Sequence, residues 1–158
     1  MNPQLLTNWS DHDHSLQKVL LLATRTLRIF DDDLTRLGLE NTENAFFLRR
    51  FLTSERRNTL TIVVRNADPL RRNSPRLLKL LNDFPNSVTI HEGPPQVAAL
   101  NDAMVLADNA HALVRFHKDQ VRSKVLIDNT DECRPYLLRF EEILKEGGTP
   151  ISATTLGL

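Results

Sequence analysis

Leu16, Leu20, Ala23 and Leu27 recur at helical spacing, which predicts an amphipathic helix over about residues 14–25, with Asp11, Asp13 and Ser15 as candidate caps. Leu27–Phe30 then reads as a short strand. Thr42–Leu52, carrying Ala45, Phe46, Arg49 and Arg50, reads as a helix of mixed faces. "TLTIVV" (Thr59–Val64) is β-branched and nearly all apolar, as a strand buried on both faces should be. In "NSP", Ser74 as N-cap and Pro75 at the first helical position open the next helix. Leu77, Leu80, Leu81 and Phe84 form its buried stripe, and Arg76, Lys79 and Asp83 face water. "SVTIH" (Ser87–His91) alternates like a third strand.

Past the loop "EGPPQ", two apolar runs in Ala103–Phe116 flank "DNAH" and predict a β-hairpin whose turn uses Asn109 to tolerate positive φ. "KVLID" (Lys124–Asp128) is a further strand. Asn129 and Glu132 have capping-box spacing. Cys133, Leu137, Phe140 and Leu144 line one face of the last helix, which Gly147 and Gly148 stop. On that face Cys133 is read as core rather than nucleophile. No repeat, low-complexity segment or linker interrupts the series. The order αβαβαβ, then hairpin, strand and helix, predicts one α/β domain over residues 1–158 with its core at about 14–146.

Composition places the chain without naming a task for it. Hydrophobic residues at 41% and charged residues at 25% belong to a globular protein, not a disordered one. The single cysteine excludes an intramolecular disulfide framework and fits a reducing compartment. Val19–Ala23, the longest apolar stretch, is too short for a bilayer, and no basic region followed by an apolar run opens the chain. A cytoplasmic protein without membrane insertion is expected.

Net charge is zero but unevenly spread. Residues 49–79 hold nine basic and two acidic side chains, a local +7, against −3 over residues 1–48 and −4 over residues 80–158. Such a segment is either an anion-binding face or a solvated surface balanced by nearby acids. Arg65 ends a strand, and Arg71, Arg72 and Arg76 follow in the loop and the next helix start, where helix amides would add donors. These four are the anion-binding candidates. Asp31–Asp33 also follow a strand and are able to pair with them, and no aromatic residue accompanies the cluster to stack on bases.

The triplet Asp31–Asp33 raises a second candidate chemistry, since adjacent carboxylates at a strand end hold Mg²⁺ and a phosphoryl group in some α/β proteins. The companions are missing: Val64 is followed by Arg65 and Asn66 rather than an acid, and no strand end carries a Lys-Pro pair. The triplet therefore reads as a solvated turn. His12 and His14 alternate with Asp11 and Asp13 at a helix start, which the helix dipole explains without a metal. No His-Glu-x-x-His, Cys-x-x-Cys or phosphate-cradling glycine loop is present, so neither metal nor cofactor is expected. His91, His111 and His117 meet only if folding brings them together.

"NDAMVLAD" (Asn101–Asp108) starts on a loop, runs through an apolar strand and ends in an aspartate before a tight turn. In this shape, and in the order of strands and helices around it from about residue 14 to 146, the chain resembles the phospholipase D superfamily, whose signature is His-x-Lys-x-x-x-x-Asp. The resemblance implies an α/β domain with a mixed β-sheet flanked by helices. "KVLID" and the helix bearing Phe140 match the superfamily's closing strand and helix. More narrowly, the chain is similar to uncharacterised bacterial domains with a degenerate form of this pattern, including an "LGL" tail (Leu156–Leu158).

By that spacing Asn101 stands at the histidine position, Ala103 at the lysine position and Asp108 at the aspartate position. In active members the histidine attacks phosphorus and the lysine neutralises the phosphoryl oxygens. Asn101 and Ala103 do neither. The Gly-Ser pair of the second hairpin strand falls on Arg115 and Phe116, and the Asn-x-Glu near the closing strand falls around Arg122, Ser123 and Lys124. The resemblance therefore implies a non-catalytic domain that binds a protein, a nucleic acid or another phosphate-bearing ligand. It also implies a homodimer, because single-motif members build their site on a two-fold axis. The alternative is a hydrolase or phosphotransferase using residues that sequence does not assemble.

Overall fold

Alternation along the strands sorts their side chains onto two faces, and the computed structural model, which describes residues 3–153, shows a helical layer on each. Leu27 and Ile29 of β2 (Thr26–Asp31) share one face with Leu60, Ile62 and Val64 of β3 (Thr59–Val64). That face packs under α1 (Trp9–Leu22), α2 (Thr42–Ser54), α3 (Asp68–Asn73) and α4 (Pro75–Asp83). Phe30 and Val63 point the other way, with Met104 and Leu106 of β5 (Ala103–Ala107), toward α5 (Pro95–Ala98) and α6 (Thr130–Lys145).

Among the described residues one eight-stranded mixed sheet runs in the order β1-β7-β6-β5-β2-β3-β4-β8. Here β1 is Gln4–Leu6, β4 is Val88–Glu92, β6 is His111–Arg115, β7 is Ser123–Leu126 and β8 is Thr149–Pro150. β2, β3 and β4 are parallel, and every other pairing is antiparallel. The expected strands, hairpin and long helices are present, as are the buried leucines of α4. Among the described residues no helix is long and apolar enough to cross a membrane. The "LGL" tail lies outside the described residues.

Several boundaries move for local reasons. α1 starts at Trp9, five residues before the expected 14, because the Asn8 side chain accepts from the Asp11 amide at 2.8 Å and so is the cap. Asp11 lies inside the first turn and Ser15 within the helix. Asp68 and Pro69 open the short helix α3, so Arg71 and Arg72 lie in a helix rather than in the expected loop. Ser74 precedes α4 without a side-chain cap bond; the Glu40 carboxylate takes the Arg76 and Leu77 amides instead, at 3.0 and 2.8 Å. In the hairpin turn the positive φ belongs to Asp108 (54°) rather than Asn109. Asn129 caps α6 by accepting from the Glu132 amide at 3.1 Å. Gly148, at φ 138°, brings the chain so close to Glu92 that a Cβ there would lie 2.2 Å from its carbonyl oxygen, which delivers the chain to β8. β1 and β8, too short to carry a pattern, were not expected.

Candidate functional site

The two ends of β5 separate what the sequence pattern groups together. Asn101 and Ala103 stand at its start, and Asp108 lies five residues beyond Ala103 in the hairpin turn, about 17 Å away along an extended strand. Asp108 holds the chain entering β2: its carboxylate accepts from the amides of Thr24, Arg25 and Thr26 at 3.0, 2.8 and 3.0 Å and from the Thr24 hydroxyl at 3.0 Å. Burial pushes its carboxyl up, but those donors outweigh burial and hold it below the usual carboxylate value.

At the start of β5, Ala103 is paired in register with Arg115, the last residue of β6. Directly opposite residues place their side chains on the same face, so the small alanine leaves room for the neighbouring guanidinium. Arg115 is 2% exposed and reaches Asp31, the last residue of β2, at 3.1 Å; the Asp31 side chain is 1% exposed. Asp31 is therefore not in a solvated turn. Burial pushes its carboxyl above the usual value, against the pull of Arg115. Arg115 also donates to the Lys118 carbonyl. His12 of α1 closes the same corner, and burial lowers its pKa. What remains between His12, Asp31, Ala103 and Arg115 is a cavity of about 10 Å³, room for one water at most.

Charge continues outward from this pair. Arg65, at the end of β3, bonds Asp32 at 3.3 Å and the Asp102 carbonyl at 2.7 Å, with its guanidinium 4.8 Å from the Phe30 ring centre. Asp102 accepts a two-pronged bond from Arg139 of α6 at 2.8 and 2.7 Å, and Lys118 lies 3.9 Å from Asp32. Four cations thus meet three carboxylates where β2 and β3 end, the edge at which open α/β sheets usually bind ligands. Sequence reading missed Arg115, Asp102, Lys118 and Arg139 as members. One signal was available: an arginine closing the apolar run "HALVRF" needs a buried partner.

The four arginines expected to bind anions are divided. Arg65 is buried against Asp32, and Arg76 donates to the Glu40 carbonyl at 3.2 Å while Glu40 occupies the start of α4. Arg71 and Arg72 line a groove with Lys79, where Asp68 faces Arg71 at 3.8 Å and Asp83 faces Lys79 at 3.5 Å. The histidines do not converge. His91 lies on β4, four strand spacings or about 19 Å from β6, where His111 takes the Asp128 amide; His117 follows the opposite end of β6. The Cys133 thiol is buried in the core, and that burial pushes its pKa up to about 11, which removes thiolate chemistry at neutral pH. Ser123 is fully buried and donates to the Val121 carbonyl.

The profile of a family described as Domain of unknown function (DUF7931) matches residues 8–150. None of the curated proteins matches the chain. Among solved structures, the chain is similar to TrmBL2, an archaeal chromatin protein described as showing a novel mode of DNA binding, at TM-score 0.68 and 10% identity. That likeness covers 94% of this chain and 54% of TrmBL2, so the chain spans about half the length of that protein. Nuc from Salmonella typhimurium, a phospholipase D family member, aligns at TM-score 0.61 and 11% identity over 96% of this chain and 99% of Nuc. NucT from Helicobacter pylori aligns at TM-score 0.59 and 15% identity over 92% and 96%. The fold is phospholipase D-like.

Proposed function

The chain belongs to the family Domain of unknown function (DUF7931), and from its phospholipase D-like fold we propose that it is a non-catalytic binding module. One observation carries the reading: Ala103 at the lysine position sits opposite Arg115, whose charge is already answered by buried Asp31. A phosphodiester needs a nucleophile and an unengaged positive charge at this edge. Asn101 and Ala103 supply neither, and a cavity of about 10 Å³ admits no phosphoryl group. Loss of both functions removes on the order of 5 kcal/mol or more of transition-state stabilisation. Purified protein is expected to leave a chromogenic phosphodiester intact; turnover that disappears in Asn101→Ala would sink the proposal.

The ligand class we propose is a phosphate-bearing one. Likeness to the DNA-binding TrmBL2 supports the nucleic-acid version, as does the basic segment from Arg49 to Lys79. Arg71 and Arg72 are the two of the four expected arginines that line an open groove; Arg76 is exposed as well, but its guanidinium donates to the Glu40 carbonyl. Titration with DNA at low and moderate salt, comparing the parent with Arg71→Ala/Arg72→Ala, tests them. Indistinguishable curves leave that groove as ordinary surface. We also propose a homodimer, motivated by the resemblance to single-motif members; a monomer in sedimentation at tens of micromolar would count against it. The free, buried Cys133 suits a cytoplasmic location.

A further inference from the structure

At the opposite edge of the sheet, before β2 and β3 begin, the ends of α1 and α2 leave a cleft of about 570 Å³, the size of a small-molecule site. Arg25, Arg50 and Arg57 line it. Among the described residues none of these three guanidiniums has a hydrogen-bond, ion-pair or ring partner, unlike Arg65, Arg76, Arg115 and Arg139. Glu55 is the one acidic residue in the lining. Asp108 stands behind the wall formed by Thr24 and Arg25, with its oxygens already taken by their amides. Leu21, 51% exposed, and the half-buried Phe47 give the cleft an apolar side.

The bland account is that arginines gather here because the carbonyl ends of two helices carry partial negative charge. That attraction needs no hydrogen bond and is weak at an exposed helix end, and none of the three donates to a helix carbonyl, so their donors stay open to a ligand. Exposed arginines facing solvent in a concave site keep their paired donors for something that arrives. Each guanidinium fork matches two oxygens, and a phosphate monoester offers three terminal oxygens, enough to engage more than one arginine.

We infer that this cleft binds a phosphate monoester carried on an apolar or aromatic body, the phosphate held by Arg25, Arg50 and Arg57 and the body laid against Leu21 and Phe47. The inference deepens the binding-module reading; phosphodiester turnover reports on the other edge of the sheet, so the two fail separately.

Calorimetric titration of the whole chain at low salt with inorganic phosphate, phenyl phosphate, octyl phosphate and adenosine monophosphate tests it. An organic phosphate is expected to bind more tightly than inorganic phosphate, and Arg50→Ala/Arg57→Ala to weaken it by about tenfold or more. Arg56→Ala, an adjacent exposed arginine outside the lining, is expected to change affinity by less than about twofold. Preference for adenosine monophosphate assigns a nucleotide source, and preference for octyl phosphate a lipid one. Absence of binding at about 1 mM, equal binding by parent and double variant, or equal binding of inorganic and organic phosphate would each overturn the inference.

Discussion

The two edges of the central sheet carry arginines in opposite circumstances. Where β2 and β3 end, Arg65, Arg115 and Arg139 are matched to Asp32, Asp31 and Asp102, and beside Asp31 and Arg115 only about 10 Å³ of space remains. Where β2 and β3 begin, the guanidiniums of Arg25, Arg50 and Arg57 stand without partners among the described residues, around an open cleft. Positive charge alone therefore distinguishes nothing; what separates the edges is whether a guanidinium is already engaged. At the closed edge the arginines position the loops around β5 and β6. At the open edge they hold no part of the described fold in place, because no described residue binds their guanidiniums.

Asp31→Leu leaves Arg115 charged and unpaired at a dry position, and is expected to lower stability by about 3–5 kcal/mol in urea denaturation. Asp31→Leu/Arg115→Met removes both charges and is expected to recover most of that loss. A single-variant loss below about 1 kcal/mol would show that the corner is wetter and more open than its burial indicates.

Asp108 links the comparison to the open edge, since it fixes the Thr24–Arg25 wall of the cleft. Asp108→Ala strands its backbone donors and is expected to cost about 1–2 kcal/mol. The pH dependence has a definite sign. The folded carboxyl titrates below its ordinary 3.8, so the unfolded chain takes up the proton first as pH falls. Its stabilisation is present above pH 3.8 and is lost as pH falls through the folded value. Below that point parent and Asp108→Ala are expected to converge; curves that stay parallel would remove the carboxylate from the argument.

A smaller effect belongs to His12 at the closed edge. Burial, with Arg115 and Arg36, lowers its pKa from 6.5, although neighbouring Asp13 pulls it up. The unfolded chain therefore protonates this imidazole first, and stability is expected to decline as pH drops below 6.5. His12→Gln should flatten that part of the profile; an unchanged slope would place the titration elsewhere. The smallest effect sharpens the contrast. Arg50→Ala/Arg57→Ala is expected to shift stability by less than about 0.5 kcal/mol, since neither guanidinium has a partner to lose among the described residues.

Much of the fold was legible because it rests on local repetition. Thr59–Val64 announced a strand buried on both faces, and Leu77, Leu80, Leu81 and Phe84 announced the face of α4. The element order around Asn101–Asp108 was legible as well, and it led to the phospholipase D-like fold. The capping chemistry was only partly so. Asn129 caps α6 through a neighbour three residues on, whereas α4 is capped by Glu40, 36 residues before Arg76. A local rule cannot see the second kind.

The longer strands and helices and their order could be read from the sequence, because periodicity and side-chain identity are properties of short stretches, whereas β1, β8, α3 and α5 could not. Only the tertiary structure decided which charges are free. Asp31 and Arg115 are 84 residues apart and meet because β5 and β6 fold back beside β2. The same antiparallel register sets Arg115 opposite Ala103 and so closes the corner beside the motif. Arg25, Arg50 and Arg57 came together because two helices end at one edge of one sheet, where among the described residues no carboxylate, Glu55 included, forms an ion pair with their guanidiniums.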